Sequence, residues 1–432
     1  MNLQYWQDVL DSCDLFTYMG RIDKIVGMTV EATGPNSNLG DVCTIGEKGN
    51  EVLAEVVGFK ESKVLLMPYG EIDGIGYGSI VRNTGEKLKV GVGENLIGRV
   101  VDAVGNPIDG KGDIKADEYY SVLGKASNPL MRPPITKTIE LGVKPIDGLL
   151  TIGQGQRIGI FAGSGVGKST LLGMIARNVK ADINVIALVG ERGREVLEFI
   201  QRDLGEEGMK RSVLVVATSD QSAVMRSKCV LTATTIAEYF KDNGKNVLLM
   251  MDSLTRYAMA QREVGLSIGE PPVARGYTPS IYTALPKLLE RAGNFEGGSI
   301  TGIYTVLVEG DDSNEPISDT VRGIIDGHIM LSRKVAAKNH YPAIDILGSV
   351  SRLMSTVASS EHKKAAGELR RLLSVYENNI DLISIGAYKQ GSNRQLDDAV
   401  SKIDKINGFL QQRVDESFSL EETIELLKSA VL

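Results

Sequence analysis

Hydrophobic and polar positions divide the 432-residue chain into four stretches that differ in periodicity. Residues 1–18 repeat apolar side chains at nearly helical spacing, which predicts a short amphipathic helix. Residues 19–92 alternate short β-branched runs with turns rich in Gly, Asn, Asp and Pro, which favours a small β-barrel or sandwich. Residues 93–354 alternate apolar runs with helical stretches, and residues 355–432 contain helical patterns without comparable strands. The chain therefore predicts a small β-domain, an α/β core and a C-terminal helical domain.

The α/β pattern is densest from about residue 155 to residue 350. Continuous apolar strands that alternate with helical stretches long enough for crossovers predict a mostly parallel sheet covered on both faces. The strand candidates are RIGIFA, NVIALVG, SVLVVAT, NVLLMMD, GIYTVLVE, HIMLS and AIDIL. The helical candidates of the C-terminal domain are ELRRLLSVYE, QLDDAVSKIDKINGFLQQ and SLEETIELLKSAVL.

Composition narrows the classes of function. The net charge is −7 at pH 7, whereas a generic nucleic-acid binder is more often basic. Only three histidines occur, and no HExxH, CxxC or Cys/His cluster is present, which argues against a zinc hydrolase or zinc finger. Three scattered cysteines do not form a disulfide framework and favour a reducing cytosol. The N-terminus lacks the pattern of a secretory signal, and no stretch approaches the ~20 apolar residues that span a bilayer.

The strongest motif is AGSGVGKST at residues 162–170, which follows the candidate strand RIGIFA and opens a helical stretch. It departs from the GxxxxGK[ST] pattern of a phosphate-binding loop only at Ala162. Glycines let backbone N–H groups converge on phosphate oxygens, and the helix N-terminus adds partial positive charge. We expect Lys168 to contact the β- and γ-phosphates and the Ser169 hydroxyl to ligate Mg²⁺. The residues expected around the phosphates are Gly163, Ser164, Gly165, Val166, Gly167, Lys168, Ser169 and Thr170.

Three further candidate residues of the site lie at or just after the ends of predicted strands. Asp252 ends NVLLMMD, where a carboxylate beside the phosphate-binding strand can orient Mg²⁺ and its waters. Glu191 follows NVIALVG and could polarise an attacking water, although the charges of GERGRE alone favour a salt-bridged turn. Arg352 in PAIDILGSVSRLM could stabilise transition-state charge in a neighbouring subunit, although its local sequence alone favours a surface salt bridge.

Several segments together resemble the rotary, hexameric P-loop ATPases related to the catalytic subunits of ATP synthases. Within that group, the chain is most similar to the type III secretion ATPases and in particular to the flagellar protein-export ATPases. The segments that carry the resemblance are RIGIFAGSGVGKSTLL, ALVGERGREV, LLMMDSLTRYAMAQRE, GEPPVARGYTPS, LPKLLERAGN, VEGDDSNEPISDTVRGIIDGHIMLSR and YPAIDILGSVSR. They cover residues 155–354 densely, and IVGMTVEATGP and ENLIGRVVDAVGNPIDG extend the resemblance more weakly toward the N-terminus. The resemblance implies a RecA-like core behind a small β-barrel.

The resemblance also implies roles for individual residues. Glu191 would be the catalytic glutamate that polarises water, and Asp252 would hold Mg²⁺ through water. Arg192 would lie near the γ-phosphate, and Arg352 would be the arginine finger that an adjacent subunit supplies. Tyr341 in NHYPAID would pack on the adenine base.

Other positions match the group less well. Arg256 in DSLTR is a weaker match to a further arginine of the site, and His340 is expected to be an ordinary loop residue. The segment GFLQQRVDESF differs from the synthase pattern, so we assign no second aromatic residue to the base from it, and the rest of the adenine pocket stays open.

For the whole protein, the resemblance implies an ATP-hydrolysing, Mg²⁺-dependent homohexamer that energises type III protein export, with the flagellar form favoured. The implied partners are a stator-like regulator at residues 1–18, stalk and export-gate proteins at a central pore, and chaperone–substrate complexes at the C-terminal domain. Loops such as GYTPSIYTALPK would face the pore. The protein would lie in the cytoplasm, at the inner face of the cell membrane through its partners, and would bind no nucleic acid.

The alternatives are a virulence secretion (injectisome) ATPase, a catalytic subunit of a rotary ATP synthase and a Rho-like RNA translocase. A non-catalytic synthase subunit is disfavoured because it carries glutamine where this chain has Glu191. The Rho-like alternative needs an RNA-binding barrel with stacking aromatic and basic residues. Residues 19–92 contain few aromatic residues and no Lys/Arg cluster, which weighs against it.

Overall fold

The computed structural model describes residues 18–47, 49–124, 127–308 and 315–432. The amphipathic helix expected over residues 1–18 therefore falls almost entirely outside the described residues and stays a prediction. Within the described ranges, no helix is both long and apolar enough to cross a membrane.

The N-terminal region forms a closed, six-stranded antiparallel barrel, which confirms the expected small β-barrel. Its strands are β1 (Met19–Val26), β2 (Thr29–Thr33), β3 (Asp41–Glu47), β4 (Asn50–Lys60), β5 (Lys63–Pro68) and β6 (Ile80–Lys87). Around the barrel they follow the order β1, β2, β5, β4, β3, β6. Buried apolar side chains such as Ile22, Val30, Ile45 and Val56 fill the interior, because alternate residues of each strand point inward.

Short elements connect the barrel to the central sheet. They are β7 (Lys89–Val92), a 3₁₀ turn (Glu94–Leu96), β8 (Val100–Val101), β9 (Glu118–Ser121), a second 3₁₀ turn (Pro129–Met131), β10 (Thr138–Ile139), α1 (Lys144–Leu149) and β11 (Ile152–Gly153). β7 pairs with β9, β10 pairs with β11, and β8 joins the edge of the central sheet. The barrel closes without β7, and the expected domain boundaries stay predictions.

The central sheet is mostly parallel, as predicted. Besides β8 it contains β12 (Arg157–Ala162), β13 (Ile183–Glu191), β14 (Ser212–Thr218), β15 (Asn246–Asp252), β16 (Gly293–Asn294), β17 (Ser299–Leu307), β18 (Gly327–Leu331) and β19 (Ile344–Ser351). The order across the sheet is β19, β18, β12, β17, β15, β13, β14, β8, and β16 pairs with β17. β16 and β19 run antiparallel to their neighbours. The carboxyl ends of the other strands therefore meet at one edge, where α/β proteins bind their ligands.

Helices cover both faces of this sheet. Successive residues of a strand point to opposite faces, so Val185 and Ala187 enter one core while Ile186 and Leu188 enter the other. The helices are α2 (Lys168–Asn178), α3 (Gly193–Glu198), a π-helix (Phe199–Leu204), α4 (Gly205–Met209), α5 (Ala223–Asp242), α6 (Leu254–Ser267), a 3₁₀ turn (Ala274–Gly276), α7 (Pro279–Leu289), α8 (Pro316–Ile324) and α9 (Arg333–Ala337).

The expected loop character of GYTPSIYTALPK is wrong for most of that segment. α7 begins at Pro279, which suits the first turn of a helix because an N–H there would have no intrahelical partner. Ile281, Leu285 and Leu288 are buried and hold α7 against the core.

The C-terminal region is helical, as predicted. It contains α10 (Met354–Val357), α11 (Ser360–Asn378), α12 (Ile380–Ser384), α13 (Arg394–Leu410) and α14 (Leu420–Val431). Buried residues of three of these helices, including Leu369, Ile406 and Leu427, join the same core as α2. The helical region is therefore packed directly against the element that follows the phosphate loop.

Candidate active site

The phosphate-binding loop predicted at residues 162–170 lies at the carboxyl edge of the central sheet. β12 ends at Ala162 and α2 begins at Lys168. Between them, Gly165 and Gly167 have φ angles of 78° and 87°, a left-handed conformation that glycine adopts without steric cost. The start of α2 offers free N–H groups and the positive end of a helix dipole, which together favour an anion.

A lysine, an aspartate and a threonine meet beside this loop. Asp252 ends β15, and its Oδ1 accepts a 2.7 Å hydrogen bond from Thr305 Oγ1 on the adjacent β17. The Lys168 ammonium forms an ion pair with the same carboxylate. Asp252 is buried, so weak solvent screening strengthens both contacts.

Glu191 ends β13 and faces the same space. It is 8% exposed; one carboxylate oxygen lies 3.9 Å from Lys168 Nζ, and the other accepts a 3.3 Å hydrogen bond from Arg256. Burial raises the pKa of Glu191 to about 7, and its hydrogen bond to Glu195 and the negative charge of Asp252 act in the same direction. The hydrogen bond with Glu191 lowers the pKa of Glu195. A carboxyl group with a pKa near neutrality suits proton transfer at pH 7.

The two arginines of GERGRE form the salt bridges that their pattern favours, but at the start of helix α3 rather than in a turn. Arg192 lies 3.6 Å from Glu195, and Arg194 donates a 2.7 Å hydrogen bond to Glu198. The Arg192 side chain is 80% exposed. At this junction of β13 and α3, Glu191 therefore points inward and Arg192 outward, and the contact of Arg192 with a γ-phosphate stays a prediction.

A small cavity of about 80 Å³ opens between these groups and is lined by Ser169, Glu191, Glu195 and Asp252. The described residues contain no cluster of three His, Cys, Asp or Glu side chains that could hold a metal ion by themselves. Ser169 and Asp252 offer one hydroxyl and one carboxylate. Such a sparse oxygen set suits Mg²⁺, which usually keeps waters and substrate phosphates as its other ligands. The residues present therefore fit the expected ion.

A larger cavity of about 810 Å³ adjoins the phosphate loop. Tyr341 lines it, and a ring carbon of Tyr341 would lie 3.5 Å from a Cβ atom placed on Gly167, so the ring packs against the loop. Residues 411–416 form another wall. Gln412 is fixed there, because its Oε1 accepts a 2.8 Å hydrogen bond from the backbone N–H of Lys144. The described wall segment thus contributes no aromatic side chain.

The sequence missed or only weakly indicated three contributions to the site. Arg256, a weak match, also donates a hydrogen bond to the backbone carbonyl of Gly190 and so ties α6 to the end of β13. Thr305 could have been found, because a hydroxyl inside the apolar run GIYTVLVE needs a buried partner. Residues 411–416 carry no local signal, since their position depends on how α13 and α14 pack. His340 lies in a loop, as expected.

Arg352 lies far from the other predicted residues of its own chain. β19 runs antiparallel to β18 and ends at the amino edge of the parallel strands. The Arg352 N–H donates to the Asp326 carbonyl, and the Asp326 N–H donates to the Arg157 carbonyl, so Arg352 is level with the start of β12. β12 rises about 16 Å from Arg157 to Ala162. An arginine side chain is shorter than this, so Arg352 cannot reach the phosphate loop of its own chain.

A parallel sheet with a phosphate loop, a buried aspartate on a nearby strand and an inward glutamate defines a P-loop ATPase domain. Family models match the chain in three parts. The nucleotide-binding domain of the ATP synthase alpha/beta family matches residues 142–351, and the beta-barrel domain of that family matches residues 22–85. The T3SS EscN ATPase C-terminal domain matches residues 358–429.

Curated relatives and solved structures agree with these matches. The flagellum-specific ATP synthase of Bacillus subtilis (strain 168) is 55% identical over 432 residues, with 99% of each chain covered. The type 3 secretion system ATPase of Xanthomonas euvesicatoria is 50% identical, with 95% of this chain and 92% of the relative covered. The assembled ATPase EscN from the type III secretion system of enteropathogenic E. coli has a TM-score of 0.91 at 48% identity, covering 96% of this chain and all 100% of that chain.

A second EscN structure, in complex with its central stalk EscO, has a TM-score of 0.89 at 47% identity and covers 96% of this chain and 100% of that chain. The chain belongs to the ATP synthase alpha/beta family, in its group of flagellum-specific and type III secretion ATPases. This confirms the family resemblance, the RecA-like fold, the nucleotide substrate and the expectation of an ATP-hydrolysing enzyme of type III export.

Proposed function

We propose that the chain is the ATP-hydrolysing subunit of a homohexamer that energises protein export through a flagellar type III apparatus. The observation that carries this proposal is the convergence of Lys168, Asp252 and Glu191 at one edge of the sheet. Arg352 lies at the opposite edge, so each chain has the groups to bind phosphate and activate water, but its own Arg352 is out of reach of that site. The 55% identity to a flagellum-specific relative supports the flagellar form, and virulence secretion is the alternative.

In the proposed reaction, the loop N–H groups and the Lys168 ammonium bind the nucleotide phosphates. Lys168 exchanges its contact with Asp252 for phosphate oxygens and thereby frees the carboxylate. Glu191 takes a proton from the water that attacks the γ-phosphorus, and ADP leaves as the bond to the β-phosphate oxygen breaks. Arg256 orients Glu191 for this step through its 3.3 Å hydrogen bond. Tyr341 packs on the adenine base in the adjoining cavity.

Ser169 and Asp252 would hold Mg²⁺, the first through its hydroxyl and the second through a water molecule. When bound, the ion neutralises charge on the phosphate oxygens. The hydrogen bond from Thr305 and the contact with Lys168 both use Oδ1 of Asp252, which leaves Oδ2 for such a water. Thr305 therefore acts as a positioning residue for the carboxylate.

Assembly into a ring would bring Arg352 of one chain to the site of its neighbour. The test mixes Arg352→Ala protein with Glu191→Gln protein in equal amounts after dissociation and reassembly. Each variant alone should lose turnover, while in the mixture about a quarter of the interfaces combine an intact Glu191 with an intact Arg352 from the neighbour. Recovery of ATP hydrolysis is therefore expected.

The control mixes Arg352→Ala protein with the double variant Glu191→Gln/Arg352→Ala. No interface in that mixture contains Arg352, so it must stay inactive. If the first mixture is as inactive as this control, although both form mixed rings by mass spectrometry, action between subunits is refuted.

The remaining partner assignments rest on resemblance. We propose a stator-like regulator at residues 1–18, stalk and export-gate proteins at the pore, and chaperone–substrate complexes at residues 355–432, with the protein at the cytoplasmic face of the inner membrane. The EscN–EscO complex supports a stalk partner. A deletion strain should lack flagella, wild-type protein should restore them, and Lys168→Ala protein should not. Full flagellation of the deletion strain would refute the flagellar assignment and favour virulence secretion.

A further inference from the structure

An apolar groove of about 880 Å³ lies directly beside the catalytic cavity. Its apolar lining comes from Val100, Ile108, Val196, Leu197, Ile200 and Met209. Leu197 is 53% exposed, so this side chain presents a large apolar surface to solvent. Val196 lines both the groove and the catalytic cavity. Val196 therefore joins the groove to the space in front of Glu191.

The exposed face of β19 carries the complementary feature. Gly348, Val350 and the adjoining Arg352 are exposed, whereas Ser349 between them is buried. β19 ends at Ser351, and Arg352 is the next residue of the chain. Val350, 40% exposed, is only two residues from Arg352 and so lies within about 7 Å of it along the backbone, in the same surface region as that arginine.

The two surfaces cannot meet within one chain. β19 and β8 are the opposite edges of the central sheet. At the usual spacing of strands, seven intervals separate these edges by about 34 Å. Two different patches on opposite sides of one protomer form a head-to-tail contact, which is the kind of contact that closes rings.

We propose that Val350 of one copy seats on Val196 and Leu197 of the next copy and thereby sets the position of Arg352 in that neighbour's site. The occupant of the groove is thus a second copy of this chain. The proposal rests on the homohexamer proposed above and names the contact that aligns its arginine finger. Leu197 lies six positions after Glu191, on the helix that opens immediately beyond it, so a residue seated there is close to the catalytic cavity. Val350 is a positioning residue, since it acts through Arg352 rather than on the nucleotide.

Disulfide trapping tests the contact without relying on activity. In a Cys13→Ser background, Val350→Cys and Leu197→Cys are combined in one chain, so every ring interface presents one of each. The other two cysteines, Cys43 and Cys229, are buried. Mild oxidation should give a ladder of covalent species up to six chains on a denaturing gel, because a disulfide needs Cα atoms within about 7 Å. Each single variant should give no ladder. The same is expected of Val350→Cys combined with Leu426→Cys, which lies on the exposed side of α14.

A charge exchange gives the second readout. Val350→Asp and Leu197→Lys each bury an unpaired charge in the proposed contact, so each should lower the assembled fraction at least about tenfold by sedimentation velocity. The double variant pairs the charges across the interface and should recover assembly and the Arg352-dependent turnover. Both substitutions are at exposed positions, and an unchanged circular dichroism spectrum confirms folding.

The outcomes separate this contact from the proposed function. If wild-type protein forms hexamers and hydrolyses ATP, but the cysteine pair gives no ladder and Val350→Asp assembles normally, the seat on Leu197 is refuted while the function stands. If the ladder forms but Lys168→Ala leaves ATP hydrolysis unchanged, the contact stands and the proposed hydrolytic site fails.

Discussion

Replacing Glu191 with glutamine removes a buried carboxylate while keeping the shape of the side chain. In the folded protein the pKa of Glu191 is about 7, raised mainly by burial from an ordinary value of 4.5. The folded state therefore binds this proton more tightly than the unfolded chain does, so stability falls as the pH rises from 4.5 to 7. At about 1.4 kcal/mol per pH unit, the carboxylate costs the fold about 3 kcal/mol above pH 7. That pKa already includes the attraction of Lys168 and Arg256, which opposes the effect of burial, so the net gain of the variant is about 3 kcal/mol at most.

We expect Glu191→Gln to raise the thermal midpoint of the nucleotide-free protein by a few degrees at pH 8. The gain should disappear toward pH 5, where the native carboxyl group is protonated and neutral. Differential scanning fluorimetry at fixed protein concentration measures both midpoints. The matched control is Glu198→Gln, which removes an exposed carboxylate paired with Arg194 and should change the midpoint little at either pH. A loss of stability at pH 8, or an equal gain at both pH values, would refute the reasoning from burial.

The same variant should bind ATP but lose at least about a hundredfold in turnover, since a positioned base contributes that much or more. A coupled phosphate-release assay and a fluorescent nucleotide titration separate the two effects. Near-normal turnover in the variant would show that Glu191 is not the catalytic base and has only a structural role.

The remaining predictions concern the groups around Glu191. Lys168→Ala should abolish measurable nucleotide binding by calorimetry, whereas Lys180→Ala, at an exposed surface pair, should bind normally. Thr305→Val should lower the thermal midpoint, because a hydrogen bond to a buried charge is worth about 1.5–3 kcal/mol, and it should also lower kcat. Thr305→Ser keeps the hydroxyl and should retain both values. An unchanged kcat in the valine variant would show that Thr305 does not position Asp252. Tyr341→Ala should raise the Kd for ATP about tenfold, because it removes the ring that stacks on the base. Tyr341→Phe keeps the ring and should bind ATP like the wild type. Equal affinities in all three proteins would exclude the stacking role.

Local sequence patterns determined the elements of this protein and its phosphate loop. The predicted strands of the central sheet and the predicted C-terminal helices are present, because apolar periodicity depends on which face of a single element is buried. The phosphate loop was recognisable because its turn requires glycines at stated positions, and Asp252 because it ends a buried strand.

Only the tertiary structure decided how groups from different elements meet. The charges of GERGRE do not show that Glu191 turns inward while Arg192 turns outward; the placement of β13 beside β15 and the contact with Arg256 decide that. Thr305 reaches Asp252 because β17 pairs with β15. Residues 411–416 reach the larger cavity beside the phosphate loop only because the C-terminal helices pack on the core of α2.

Arg352 shows the division most clearly. Its sequence context allowed either a surface salt bridge or an arginine finger. An arginine is exposed and charged in both roles, so the local sequence does not distinguish them. The antiparallel direction of β19 places it about one strand length from the phosphate loop of its own chain. Sequence determines the local shape of each element through contacts between near neighbours, whereas the order and direction of strands arise from pairing between distant segments. For that reason the separation of Arg352 from the phosphate loop of its own chain follows from the fold and not from the motif.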